Sequence, residues 1–221
     1  MRTRMGGMMA AMAFRGIPAE AFDFYEGLEA DNSKAYWTEH NAMYDEVVRQ
    51  PFVELLAAVE DEFGAGKIFR PNRDVRFSHD KTPYKTNIGA IAVKDGAVAY
   101  VSLSTEGLFC GSGFYRMDKA PLDRFRRAVA DDTTGPELDA LVATAEKAGY
   151  TIGGEALKRA PKGYDPEHPR ARLLRHKGLY IGRSFEPAAW MGTRKALDRI
   201  VTVWRGAGPV NAWLTTNVGG S

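Results

Sequence analysis

Three changes of pattern along this 221-residue chain predict an α+β fold, with helices packed on an antiparallel meander sheet. Apolar residues recur at three- and four-residue intervals as far as Phe63, alternate between Asp74 and Tyr115, and return to helical spacing from Pro121 onward. Helices that are segregated from strands, rather than alternating with them, belong to the α+β class.

The elements follow in order. Pro18 suits a first helical turn, and Phe22, Tyr25 and Leu28 continue it, giving a helix over 18–30. Asp31, Asn32 and Ser33 break that helix and cap the next, over 34–50, which carries Trp37, Met43, Tyr44 and Val47 on one side. Pro51 opens a third helix with Phe52, Leu55, Leu56 and Val59 as its core face, closed by Gly64 and Gly66. Four strands are expected over 74–78, 86–93, 98–105 and 108–115. Asp95-Gly96 and Glu106-Gly107 supply the hairpin turns. Helices over 121–130 and 136–148 come next, then an irregular basic stretch over 153–166 and a short helix over 168–176. A strand over 178–185, a helix over 187–204 and a last turn over 209–218 complete the chain. No repeat or low-complexity linker divides it, so residues 14–221 read as one domain and residues 1–13, rich in Met and Gly, as a disordered lead-in.

Composition narrows the class of protein. Hydrophobic residues at 44% and charged residues at 26% are ordinary for a globular protein, and no window approaches the length of a membrane span. One cysteine, Cys110, excludes an internal disulfide and fits a reducing compartment, so the expected location is the cytoplasm. The net charge of +2 conceals an asymmetry: residues 17–66 carry twelve acids and two bases, whereas residues 67–221 carry 25 bases and 16 acids.

The densest chemistry lies in residues 73–86, RDVRFSHDKTPYKT, where Arg73, Arg76, Lys81 and Lys85 surround the Thr82-Pro83 turn. Forked and point-charge donors beside a rigid turn suit a phosphate or carboxylate. In a pocket between this turn and the sheet, Arg73 and Arg76 would grip the anion and Lys81 and Lys85 would add charge. Tyr84 and Tyr115 would form walls, and Lys158 and Arg175 would close it from the C-terminal part. If a proton is transferred, His79 and Asp80 are the candidates. Ser102, Ser104, Gly111, Ser112 and Gly113 leave room for a ligand on the neighbouring strands.

Two other classes compete. The basic segments 67–85 and 158–183, the second holding eight bases against two acids with tyrosines and histidines interleaved, would suit a nucleic-acid-binding module. The acidic first three helices would suit a protein-interaction domain. Phosphate-binding, dinucleotide, nucleophile-elbow and zinc-protease signatures are absent, so the sequence names no catalytic reaction, no cofactor and no metal.

Residues 73–86 resemble the signature of the family called domain of unknown function 2461. Phe22 to Leu28 with Asn32, Tyr36 and Trp37, the strand end Gly111-Ser112-Gly113-Phe114-Tyr115, and Pro161-Lys162-Gly163-Tyr164-Asp165 with His168-Pro169 match it too. The resemblance runs over about residues 14–204. It implies a single cytosolic domain and lends no catalytic residues. At one position it departs, with His79 where the family is expected to carry lysine.

Overall fold

The computed structural model describes residues 13–74, 76 and 81–219. All but the last residue of the expected lead-in therefore lies outside the described residues. The chain enters the fold at Phe14 and Ile17, both buried, with Ile17 N–H donating to Met191 O at 2.7 Å.

Helices α1 (Glu20–Ala30), α2 (Lys34–Met43) and α3 (Gln50–Phe63) occupy the places the apolar spacing predicts. Ser33 caps α2, its hydroxyl accepting from Tyr36 N–H at 3.1 Å. The break expected before Pro51 is instead a change of pitch, a π turn over Tyr44–Arg49 that runs straight into α3. Proline has no N–H to donate and would crowd the carbonyl four residues back. Widening the turn, so that Gln50 N–H reaches Asp45 O, carries the helix past it.

The sheet has six strands in the order β1 (Gly66–Ile68), β2 (Asn87–Lys94), β3 (Ala97–Ser104), β4 (Gly107–Phe114), β6 (Leu179–Phe185), β5 (Thr151–Gly153), every pair antiparallel. The central meander β2–β3–β4 matches the sequence, and Asp95 and Gly96, with φ of 53° and 84°, form the turn expected between β2 and β3. The two edge strands, three residues each, were not anticipated, because alternation cannot be read over so few positions. The strand expected over 74–78 is not there at Asp74 or Arg76, neither of which lies in a strand, and its other residues fall outside the described ones. The local reason is visible. Asn72 and Tyr84 form a single bridge between Pro71 and Pro83, and neither proline can donate to extend a ladder.

Helices α4 (Lys119–Ala130), α5 (Thr134–Lys147), α6 (Ala171–Leu174), α7 (Lys195–Gly206) and α8 (Gly208–Val218) complete the fold. The helix expected over 187–204 is a 3-10 turn, Ala189–Gly192, followed by α7, and the expected last turn is the three-turn helix α8. No described helix is long and apolar enough to cross a membrane.

Register divides the sheet into two unlike faces. Ala90, Val101 and Cys110 stand abreast on one, as do Ile88, Leu103 and Leu108. All are buried in the core formed with α1, α3 and α7, while Phe114, Leu179 and Ile181 on the same face meet α4, α5 and α8 in a second cluster. Cys110 is fully buried there, and burial pushes its thiol up to about 12, so it is a core residue rather than a nucleophile. The opposite face is described next.

Candidate nucleic-acid interface

On the second face Ile91, Tyr100, Gly111 and Gly182 stand abreast, with Ser102, Phe109 and Ser184 in the next row and Val98, Gly113, Tyr180 and Gly153 in the row beyond. Its aromatic residues belong to neither core cluster, and the buried apolar side chains of the described helices, α2 having none, gather in those clusters on the other side. This face is therefore left without a helical layer among the described residues, and its half-buried rings face outward.

The rings are consecutive neighbours. Phe69 lies 6.5 Å from Tyr100, Tyr100 6.0 Å from Phe109, Phe109 6.0 Å from Tyr180 and Tyr180 6.5 Å from Tyr115, measured between centroids. Tyr115 ends the row, 71% exposed and stacked at 22° on Tyr180. Burial, with Tyr115 and Tyr100 adding to it, holds the Tyr180 hydroxyl above its ordinary range.

Each end of this path carries positive charge. Lys67, abreast of Ile91, points from the same face, and Lys85 Nζ sits 5.8 Å from the centre of the Phe69 ring. At the other end Arg116 follows Tyr115, and Lys177 pairs with Glu155, whose carboxyl Lys177 and, to a lesser extent, Arg116 hold below its usual range.

The residues singled out in the sequence divide around this surface. Arg73 N–H donates to Pro83 O at 2.8 Å and Lys85 N–H to Pro71 O at 2.9 Å, which zips the base of the 70–85 loop at the β1–β2 corner. Lys85 Nζ also donates to Arg70 O at 3.1 Å. Arg76 is 77% exposed and forked onto Asp74, with Nε to Oδ1 at 3.0 Å and an Nη to Oδ2 at 2.7 Å. An anion arriving at Arg76 must displace that carboxylate. Lys81 is exposed. His79 and Asp80 lie outside the described residues.

Tyr84, expected as a pocket wall, is turned into the core. It is 7% exposed, stacked on Trp37 at 4.4 Å, and its backbone is clamped by the Asn32 side chain at 3.0 and 3.1 Å. Ser112, expected to leave room for a ligand, is on the helix-facing side, bonded to Asn211 Nδ2 at 2.8 Å. Ser102, Ser104, Gly111 and Gly113 are on the bare face.

Lys158 and Arg175 are not brought to the 70–85 loop. That loop leaves β1 and enters β2 at the end of the sheet shared with the β3–β4 turn, whereas the 154–178 segment leaves β5 and enters β6 at the end shared with the β2–β3 turn. With four strand intervals between β2 and β5, at about 4.8 Å each, the two basic segments occupy diagonally opposite corners about 19 Å or more apart. Arg175 lines a separate ≈ 340 Å³ cleft with Glu146, Arg172 and His176. A single compact anion pocket does not enclose all these groups.

Several of the basic residues are already committed. Arg170 is buried against the end of α4, Arg172 pairs with Asp139 at 3.2 Å and Glu146 at 2.9 Å, and Arg183 caps α5 through Ala148 O and Gly149 O. Of the rings, Tyr180 was among the tyrosines interleaved with the 158–183 basic segment, whereas Phe69, Tyr100 and Phe109 were missed by sequence reasoning. The signal was present in the alternation of Tyr100, Ser102 and Ser104 with Val101 and Leu103, where one face is aliphatic and the other is ring, glycine or serine.

His176, beside this corner, has Nδ1 3.2 Å from Gly178 O, and burial lowers its pKa, with Arg175 and Arg172 adding to the effect. Unfolding therefore lets it take up a proton, so its contribution to stability falls as pH drops through the ordinary histidine value of about 6.5. The His176→Gln protein is expected to lose less stability than wild type between pH 7.5 and 5.5 in urea melts.

An antiparallel sheet with helices on one face and a charged, ring-lined surface on the other defines an α+β fold. The chain belongs to the family described as a conserved hypothetical protein, DUF2461, whose model matches residues 20–213. No curated protein and no solved structure shows a significant match. Among the described residues no group of three or more His, Cys, Asp or Glu is placed to hold a metal ion.

Proposed function

We propose that the bare sheet face binds single-stranded nucleic acid, with unpaired bases stacked on the rings and phosphates held at the two basic corners. The observation that carries this is the unbroken path of five rings, at steps of 6.0–6.5 Å, between Lys67 and Lys85 at one end and Arg116 at the other, where Lys177 is engaged by Glu155. Ring faces accept any base, and a row of them between cations is the arrangement that grips a single strand. A free phosphate or sugar phosphate would use one corner and leave the rings idle. Asp74 already occupies the Arg76 fork, which disfavours a small anion at the loop. The cytoplasm, where a lone thiol stays reduced, is the proposed site of action.

Anisotropy titration of a labelled 15-nucleotide single strand tests this. About three phosphate contacts give a slope of log affinity on log salt of about −2, hence a loss of about twentyfold between 50 and 200 mM salt. An equally long duplex should bind weakly, because its bases are already stacked on one another. Equal binding of duplex, or complete competition by inorganic phosphate at millimolar concentration, would contradict a stacking site.

A further inference from the structure

We infer that the cleft between α3 and β1 is a second binding site, one that takes a small amphipathic anion: a carboxylate carried on an apolar chain or ring. The inference goes beyond the single-strand surface and does not rest on it. The cleft measures ≈ 610 Å³, within the range of small-molecule sites, and the turn at Gly64 joins its two walls. Past that turn β1 runs back along α3, and a Cβ on Gly66 would lie 2.7 Å from Leu56 Cδ2. Arg70, beyond the far end of β1, therefore comes level with Arg49, just before α3. Glu60 lies near the turn, about 16 Å from Arg49 along the helix.

One end of the cleft is thus basic and its middle apolar. Arg49 and Arg70 are exposed, and among the described residues neither side chain is paired with a carboxylate. Arg70 lies near enough to Asp74 to help hold that carboxyl low, but the Arg76 fork already takes both Asp74 oxygens. Val53 is exposed although apolar, and it shares the wall with Leu56 and Ile68. An apolar side chain exposed in a concave surface is one that a ligand's apolar body can cover.

Tyr44 is the decisive group. It is 4% exposed and lines the cleft, yet its hydroxyl has no hydrogen-bond partner among the described residues. Buried tyrosine hydroxyls usually have one. The fully enclosed polar atoms without partners belong to Arg126 and Asn211, so the Tyr44 oxygen opens onto the cleft. Burial pushes its pKa up to about 12 against the pull of Arg49, so at neutral pH it keeps its proton and can donate.

The π turn sets Tyr44 and Arg49 together. Residues five apart on an α-helix are about 140° apart around its axis and face different ways. A turn closed by bonds between residues five apart places them nearly one above the other, and Tyr44 and Arg49 are its first and last residues. A carboxylate at this end accepts from the Tyr44 hydroxyl and from both guanidinium groups, while its apolar body lies along Val53, Leu56 and Ile68. Glu60 at the other end repels a second negative group, so the site favours anions with a single charged head.

Saturation-transfer NMR on the full chain, with phenylbutyrate as the probe, tests this. Phenylbutyrate is expected to bind saturably, its uncharged amide about tenfold more weakly, and acetate not to compete. Arg49→Gln should weaken phenylbutyrate about tenfold and Tyr44→Phe about fivefold, since each removes a donor to a charged group. Val53→Asp should abolish binding, whereas Arg76→Gln, in the 70–85 loop, should match wild type. Arg49 and Val53 are exposed, so their variants keep the fold even if Tyr44→Phe does not. Equal affinity for phenylbutyrate and its amide, or unchanged affinity in Arg49→Gln, would overturn the anion-binding end. Binding retained by Val53→Asp would overturn the placement in this cleft, and absence of saturable binding by wild type would overturn the site.

Discussion

Arg170→Met is expected to lower the melting temperature by about 10 °C. Arg170 is 7% exposed, and its guanidinium donates to the last carbonyls of α4: Nε to Val129 O at 2.7 Å and an Nη to Ala130 O at 3.1 Å and Asp131 O at 3.2 Å. The same Nη reaches Asp132 Oδ1 at 3.2 Å, but that carboxylate is fully exposed and adds little. Helix ends leave four carbonyls without intrahelical partners, and here one side chain serves two of them, Val129 O and Ala130 O, while Asp131 O just past the helix also accepts from Gly135 N–H at 3.0 Å. Methionine fills most of the volume but donates nothing. Each carbonyl stranded away from water costs about 1–3 kcal/mol, so a loss of about 3 kcal/mol or more follows, at about 2–4 °C per kcal/mol for a chain of this size. A thermal melt of the two proteins decides it. A loss below about 1 kcal/mol would mean that water replaces the guanidinium and that the bonds contribute little. Because Arg170 is internal, strand affinity measured below the melting transition should not change.

Removing the middle of the ring path has the opposite signature. Tyr100→Ala with Phe109→Ala should leave the core intact, because neither ring belongs to either buried cluster. Base-on-ring stacking is worth about 1–3 kcal/mol per base, so each substitution should weaken single-strand binding about five- to 150-fold. The salt slope should stay near wild type, since no cation has been removed. Lys67→Ala with Lys85→Ala should do the reverse, reducing the slope by about 1.4 while leaving stacking in place. Two classes of variant that separate in this way distinguish a stacking surface from a merely basic one. If the ring variant and the lysine variant both changed only the slope, the rings would be a cover for the sheet backbone and nothing more.

Where the sequence was informative, the cause was local. The helical spacing of Tyr25, Leu28, Leu55 and Val59 and the turn at Asp95-Gly96 reflect short-range patterning, and these elements were legible. The β1 and β5 strands were not, because three residues give no period and their existence depends on neighbours that pair with them from β2 and β6. The π turn before Pro51 was read as a break because proline signals the loss of a donor but not how the preceding turn adjusts.

The candidate site was half legible for the same reason. Density of charge drew attention to residues 73–86, yet charge density says nothing of direction, and the structure spends Arg76 on Asp74 and Tyr84 on the core. The ring path now proposed comes from three separate strands and the residues just past β1 and β4, and only strand order brings Phe69, Tyr100, Phe109, Tyr180 and Tyr115 together. Nor could the sequence place the two basic segments at opposite corners, since β6 returns beside β4 after a crossover of more than sixty residues.

Photocrosslinking locates the strand most directly. A 15-nucleotide oligonucleotide carrying 5-iodouracil, irradiated with the protein and mapped by peptide mass spectrometry, should join to Tyr100, Phe109, Tyr180 and Tyr115. Crosslinks confined to α5, α6 or the acidic helices α1–α3, with none on the rings, would contradict the bare sheet face as the binding surface.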